Sequence, residues 1–110
     1  MNKNFTMEES IKHTVYFQSY MKAVVQKMML YTNYVVIHVG IGGAGNFSEP
    51  ICKYHPEGYS FEKNMEDVIV TASRRMIMQI EMNGNVYVSL TDPLGHYGVV
   101  EWRVTKEDLV

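Results

Sequence analysis

A glycine-rich segment after the first apolar run of the sequence is the first candidate for binding chemistry. Gly40, Gly42, Gly43 and Gly45 stand at GxGxxG spacing, and Asn46 follows them. Glycines let the backbone turn tightly and point several N–H groups at one anion. A dinucleotide fold also needs a helix directly after the loop, whereas this sequence continues with a proline-containing stretch. Two interpretations stay open, an anion or nucleotide contact and a structural turn.

Two adjacent arginines, Arg74 and Arg75, could complete an anion site with that segment. A guanidinium group binds phosphate or carboxylate through two parallel hydrogen bonds. Neighbouring side chains point in different directions, so at most one of the two is expected in a site. The alternative is that they pair with the nearby acids Glu66 or Asp67. With the loop at 40–59, Arg74 or Arg75 defines the second-ranked hypothesis, a binding protein for a small phosphorylated, nucleotide-like ligand.

Four scattered side chains could ligate a metal ion, namely His38, Cys52, His55 and His96. Zinc sites use three or four nitrogen or sulfur ligands, usually as paired short spacings. Here only Cys52 and His55 form a short pair, and no third residue near them would orient a nucleophile and its base. The sequence therefore predicts no metal, no cofactor and no catalytic residue. An enzyme or a metal-binding protein ranks third.

Composition narrows the class of protein further. The chain has 110 residues, 46% hydrophobic and 20% charged, which is the balance of one folded domain over residues 1–110. A formal net charge of −2 argues against a nucleic-acid partner. The single cysteine indicates a reducing compartment, and no stretch approaches the roughly 20 apolar residues of a membrane span. The expected location is the cytoplasm, without a membrane partner.

The longest predicted element is an amphipathic N-terminal helix. Thr6 to Glu9 has the form of a capping box, apolar residues recur at helical spacing from Met7 to Met29, and no glycine or proline interrupts residues 6–32. Such a helix would be about 40 Å long, more than one sheet needs, and its apolar arc is wide. Part of that arc is expected to face a second copy, so the predicted assembly is a homodimer. The predicted interface residues are Phe17, Met21, Val24, Met28 and Tyr31.

The middle of the chain predicts a strand, a loop and a second helix. Residues 34–39 are β-branched and aromatic, which is typical of a central strand. Residues 40–59 hold glycines and prolines without a period and are predicted to form a long loop. Residues 60–74 show helical spacing after a serine cap, although part of the stretch has strand propensity. A helix is the favoured assignment there.

The C-terminal third predicts an antiparallel meander. Residues 76–82 and 86–92 flank an Asn-Gly-Asn sequence and predict a hairpin with a three-residue loop. A turn at 92–95 leads to a third strand over 97–104. The expected fold is therefore α+β. It has a long N-terminal amphipathic helix, a sheet of about four mainly antiparallel strands with a three-stranded C-terminal meander, and helices on one face.

The abundance of methionine and tyrosine bears on function. Nine methionines and eight tyrosines suit an adaptable contact surface, although their ordinary role is core and sheet packing. Because no catalytic constellation stands out, the first-ranked hypothesis is a small non-enzymatic protein-interaction module. It would act as an inhibitor or regulator of a larger protein, and as a homodimer.

Overall fold

The computed structural model describes residues 4–41 and 46–109. These residues form two long helices, four strands and a short 3-10 helix. In chain order the elements are α1 (Met7–Met28), β1 (Tyr34–Gly40), β2 (Phe47–Cys52), α2 (Phe61–Asn83), β3 (Asn85–Thr91), β4 (Val99–Thr105) and η1 (Lys106–Leu109). The class is α+β, as predicted, and none of the described helices is long and apolar enough to cross a membrane.

The four strands form one antiparallel sheet in the order β2-β1-β3-β4. Side chains alternate between its two faces, and the helices cover one of them. The covered face includes Val35, Ile37 and Val39 of β1, which are buried against the helices. The other face is open and carries residues such as His38 and Tyr87. The predicted arrangement of sheet and helices is confirmed.

The start of α1 shows why the helix begins where it does. The hydroxyl of Thr6 accepts the N–H of Glu9 at 3.1 Å, and the carboxylate of Glu9 accepts the N–H of Thr6 at 2.8 Å. This is the predicted capping box. These hydrogen bonds lower the pKa of the Glu9 carboxyl. The helix ends at Met28, four residues before the end of the predicted helix at residue 32.

The assignment of residues 76–82 to a strand is wrong, because α2 continues through them to Asn83. Ser60 caps the helix, as predicted, and the second helix at 60–74 is confirmed. Gly84 ends it with φ of 80° and donates its N–H to the carbonyl of Ile80 at 2.8 Å. A left-handed glycine is typical of a helix end as well as of a tight hairpin. The hairpin with a three-residue loop is therefore absent.

The long loop predicted at 40–59 is also corrected, since it contains β2. This strand pairs with β1 in antiparallel register, with Val35 opposite Ile51 and Val39 opposite Phe47. Pro50 lies within it, which a strand tolerates at the edge of a sheet. The fourth strand of the sheet is thus β2, in place of residues 76–82, and the C-terminal part contributes the β3–β4 hairpin.

Candidate functional site

A cavity of about 550 Å³ lies between α1 on one side and β4 with η1 on the other. We call it the α1–β4 cavity. One stripe of α1 lines it with residues three or four apart, which share a helix face. They are Lys12, His13, Tyr16, Phe17 and Tyr20. The opposite wall is formed by Trp102 and Val104 of β4, together with Asp108 and Leu109 of η1.

Aromatic contacts hold the walls of the cavity in place. The rings of Tyr20 and Trp102 meet edge to face, with centroids 5.0 Å apart and planes at 72°. Tyr16 and Phe17 make a second edge-to-face contact at 5.9 Å. Edge-to-face pairs are a favoured arrangement because the positive ring edge meets the negative ring face. The cavity therefore offers ring faces and edges to an occupant, with polar tips on the tyrosines and the indole.

His13 is the buried polar residue of this cavity. Its side chain is 8% exposed, and its ring meets the ring of Phe5 edge to face at 5.0 Å. The Nε2 atom is shielded from solvent and has no hydrogen-bond partner within residues 4–41 and 46–109. A buried nitrogen without a partner is uncommon, because it has lost water and gained nothing in exchange. Because this atom is shielded from solvent, an occupant of the cavity would not reach it.

Charged groups stand beside the apolar walls. Asp108 accepts the N–H of Thr105 at 2.8 Å, and its own N–H donates to the hydroxyl of Thr105 at 3.3 Å. These bonds lower the pKa of the Asp108 carboxyl, so it is a carboxylate at neutral pH. Lys12 brings a positive charge from the helix side. The cavity thus combines an aromatic interior with one charge of each sign.

The edge of β4 is the second feature of this side of the molecule. The N–H of Asp92 bonds to the carbonyl of Gly98 at 2.9 Å, and the N–H of Lys106 bonds to that of Gly84 at 2.9 Å. These two bonds lie at the two ends of the β3–β4 ladder. Because every second residue of an antiparallel strand bonds to the same neighbour, they show which residues of β4 point their N–H and C=O groups towards β3. The residues of β4 whose N–H and C=O point away from the sheet are therefore Val99, Glu101 and Arg103. Thr105 also points outward, but Asp108 occupies its N–H.

The opposite edge of the sheet, on β2, has fewer backbone groups free to pair with another strand. The N–H of Lys53 bonds to the carbonyl of Asn33 at 2.9 Å, so the outward residues of β2 are Ser48, Pro50 and Cys52. Pro50 has no N–H to offer. The N–H of Cys52 donates to the side-chain carbonyl of Asn64 at 2.7 Å. Ser48 keeps its outward N–H, so in the part of the chain that the structure describes β4 offers more free backbone N–H groups than β2 does.

The predicted glycine site is only partly described. Gly42, Gly43 and Gly45 lie outside the described residues. The side chain of Asn46 lies directly over Gly40, where a Cβ atom would meet it. Gly40 also lines a cavity of about 260 Å³ on the open face of the sheet, together with His38 and Glu101. That cavity carries a glutamate and neither of the predicted arginines.

Arg74 and Arg75 lie elsewhere, exposed on α2, which packs on the opposite face of the sheet. Glu66, one of the two acids expected to pair with them, instead has a carboxylate oxygen 4.0 Å from the Nζ atom of Lys22. The described part of the glycine segment and the two arginines therefore do not meet in one cavity. The ligand hypothesis gains no support from their placement.

The four weak metal candidates are dispersed. His38 projects from the open face, His55 stacks on Tyr59 at 4.6 Å, and the backbone N–H of His96 donates to Asp92. Burial raises the pKa of the Cys52 thiol. Among the described residues, no three side chains of His, Cys, Asp or Glu come close enough to hold a metal ion.

The predicted interface residues of α1 are mostly core residues. Phe17, Met21 and Met28 are buried against the chain's own sheet and second helix, so they cannot form the surface of a subunit contact. Val24 is partly buried, and Tyr31 is exposed beside the ring of Tyr97 at 5.6 Å. The wide apolar arc is thus used mainly to build one protomer.

Sequence reasoning missed the stripe of α1 that faces β4. Its members His13, Tyr16 and Tyr20 are spaced three and four residues apart, so the spacing could have indicated a shared face.

Comparisons with protein-family models, with curated proteins and with solved structures find no match to this chain.

Proposed function

We propose that this chain is a small non-enzymatic protein-interaction module that assembles as a homodimer through the edge of β4. The observation that carries the proposal is the inequality of the two sheet edges. Pro50 and Asn64 leave the β2 edge with the outward N–H of Ser48, whereas Val99, Glu101 and Arg103 keep outward N–H and C=O groups on β4. Antiparallel pairing of two β4 edges would join two four-stranded sheets into one of eight strands.

The charges along the edge favour a second copy as the occupant. Glu101 and Arg103 alternate with Trp102 and share the open face of the sheet. If the two copies pair with Trp102 opposite Trp102, each Glu101 lies opposite Arg103 of the second copy. A two-fold axis repeats the opposite-charge pair, and each such pair stabilises the contact. A slip of two residues would place Glu101 opposite Glu101, which like-charge repulsion disfavours.

The surface of α1 supports the wider role as an interaction module. Met7, Ile11 and Val15 recur every fourth residue and form one stripe of the helix. All three are more than half exposed. Exposed apolar stripes of this kind are typical of protein contact sites. The proposed regulatory role, as an inhibitor or regulator of a larger protein, would place that target on this stripe.

Charge reversal tests the dimer and its register together. We expect sedimentation velocity to show a dimer for the unchanged chain at micromolar concentration. Arg103→Glu or Glu101→Arg alone creates like-charge pairs and should weaken association by roughly tenfold. The double exchange Glu101→Arg with Arg103→Glu restores opposite pairs and should recover most of the association.

The matched control is Glu49→Arg, an exposed charge reversal on β2, which should leave the dimer unchanged. A monomer at high micromolar concentration would contradict the proposal. Equal weakening in the double exchange and in the single variants would contradict the register. Circular dichroism of each variant checks that the fold is retained.

A further inference from the structure

We infer that the α1–β4 cavity is a binding site for a small aromatic zwitterion, a flat ring that carries an ammonium group and a carboxylate, as an aromatic amino acid does. The site goes beyond the proposed homodimer, and neither Glu101 nor Arg103 lines it. Its volume of about 550 Å³ lies within the range of small-molecule pockets, roughly 300–1,000 Å³. Such pockets are mainly apolar or aromatic and hold a few converging polar groups.

The walls of the cavity determine which apolar group fits. Tyr16, Tyr20 and Trp102 present rings from two elements, while Val104 and Leu109 supply aliphatic surface. The edge-to-face contact of Tyr20 and Trp102 fixes the orientation of two of these rings. A flat ring can stack on one of their faces or meet it edge-on, and both arrangements are favourable. The apolar part of the occupant is therefore an aromatic ring.

Two charges of opposite sign determine the polar part of the occupant. Lys12 and Asp108 both line the cavity, and both side chains are exposed, so they stand where it opens to solvent. Neither side chain forms an ion pair within residues 4–41 and 46–109. The Asp108 carboxylate accepts the N–H of Thr105, but a carboxylate has about four acceptor positions and can bind a further donor. The cavity thus offers one unpaired cation and one unpaired anion.

A ligand that carries both charges pairs with both residues at once. Its carboxylate can accept hydrogen bonds from the Lys12 ammonium, and its ammonium can donate to Asp108. A ligand with a single charge would leave one of these residues unpaired and would bring its charge close to one of like sign. Because exposed ion pairs contribute little each, the ring supplies most of the affinity and the two charges decide which aromatic molecule binds best.

Trp102 makes this inference directly measurable, because it is the single tryptophan of the sequence and lies in the cavity wall. We expect L-phenylalanine to produce a saturable change in tryptophan emission excited at 295 nm, with a dissociation constant on the order of 1 mM. Phenethylamine lacks the carboxylate and 3-phenylpropionate lacks the ammonium, so each should bind roughly threefold to tenfold more weakly. L-alanine, which lacks the ring, should produce no change. The test uses the full chain.

Single substitutions assign each ligand charge to its partner. Lys12→Met should remove the preference for L-phenylalanine over phenethylamine and keep the preference over 3-phenylpropionate. Asp108→Asn should do the reverse, and its amide oxygen can still accept the N–H of Thr105. The matched controls are Lys27→Met on the last turn of α1 and Glu107→Gln in η1, and each should keep both preferences.

The absence of a saturable emission change up to about 50 mM L-phenylalanine would overturn the inference. Equal affinity for L-phenylalanine and either analogue in the unchanged chain would overturn it as well, whether or not the variants fold. Survival of both preferences in Lys12→Met or in Asp108→Asn would have the same consequence.

The titration is repeated on Glu101→Arg, the variant designed to weaken the dimer. Binding there with the affinity of the unchanged chain supports a ligand site that is complete in one protomer, and loss of binding would overturn it. Because association is measured separately by sedimentation velocity, the inference and the proposed function can fail independently.

Discussion

At the scale of single residues, Asp92 joins two connections of the fold. It is 4% exposed, and it accepts the hydroxyl of Thr32 and the N–H of Leu94, each at 2.9 Å. Its second oxygen accepts the N–H groups of His96 and Tyr97 at 2.6 and 2.7 Å. The carboxylate thus fixes the turn between β3 and β4 to the segment between α1 and β1.

The ionisation of Asp92 reflects this environment. Burial raises the pKa of the carboxyl, but the hydrogen bonds from Tyr97, Thr32, Leu94 and His96 outweigh it and hold the pKa below its ordinary value. The turn at 92–95 could be predicted from the sequence because proline and glycine follow the aspartate. The bond to Thr32 could not, since 60 residues separate the partners and only the fold brings them together.

We predict that Asp92→Asn lowers the melting temperature by about 5–10 °C, since an amide cannot accept at both positions. The folded pKa is lower than the unfolded value of about 3.9, so this stabilisation is present above that pH and is lost as pH falls below it. Thermal unfolding from pH 7 to pH 2.5 measures both effects. The difference between the unchanged chain and Asp92→Asn should shrink in acid, whereas a constant difference would contradict the ionic role. Asp67→Asn on the exposed side of α2 is the control.

At the scale of elements, the end of α2 shows why one assignment failed. Met76, Met78, Ile80 and Met82 alternate as a half-buried strand would. In the helix, Met76, Ile77 and Ile80 are buried, while Met78 is 41% and Met82 is 72% exposed. The exposed methionines thus gave the sequence an apolar residue at every second position, as in a strand, although the segment is helical. Local sequence did predict α1 and β1 well, because their patterns and caps agree with each other.

We predict that Gly84→Ala lowers the free energy of unfolding by about 1 kcal/mol, because Gly84 has φ of 80°. The structure leaves open space where the new Cβ would lie, so the loss comes from backbone conformation alone. Urea unfolding measures it. Gly84→Asn should lose less, since asparagine tolerates the left-handed conformation better. A stability of Gly84→Ala equal to that of the unchanged chain would show that the helix end does not constrain this residue.

At the scale of the whole molecule, the sequence could not give the order of the strands in the sheet. The pattern predicted a four-stranded antiparallel sheet with helices on one face, but a strand order is needed to know which edges are free. With β4 at one edge, Trp102 comes opposite Tyr20, although 82 residues separate them (102 − 20 = 82). Both the α1–β4 cavity and the open edge arise from this long-range placement.

Pro50 on the edge of β2 suggests a substitution that would prevent strand pairing at the edge of β4. Glu101→Pro removes an outward N–H, as Pro50 does on β2, and keeps the ladder to β3 because the N–H of Glu101 does not take part in it. We therefore predict a folded protein that sediments as a monomer. Val100→Pro is the matched control, since its N–H faces β3, and loss of that bond should destabilise the fold by about 3 kcal/mol. Circular dichroism and sedimentation velocity distinguish the two outcomes. A Glu101→Pro variant that folds and still dimerises would place the subunit contact away from the edge of β4.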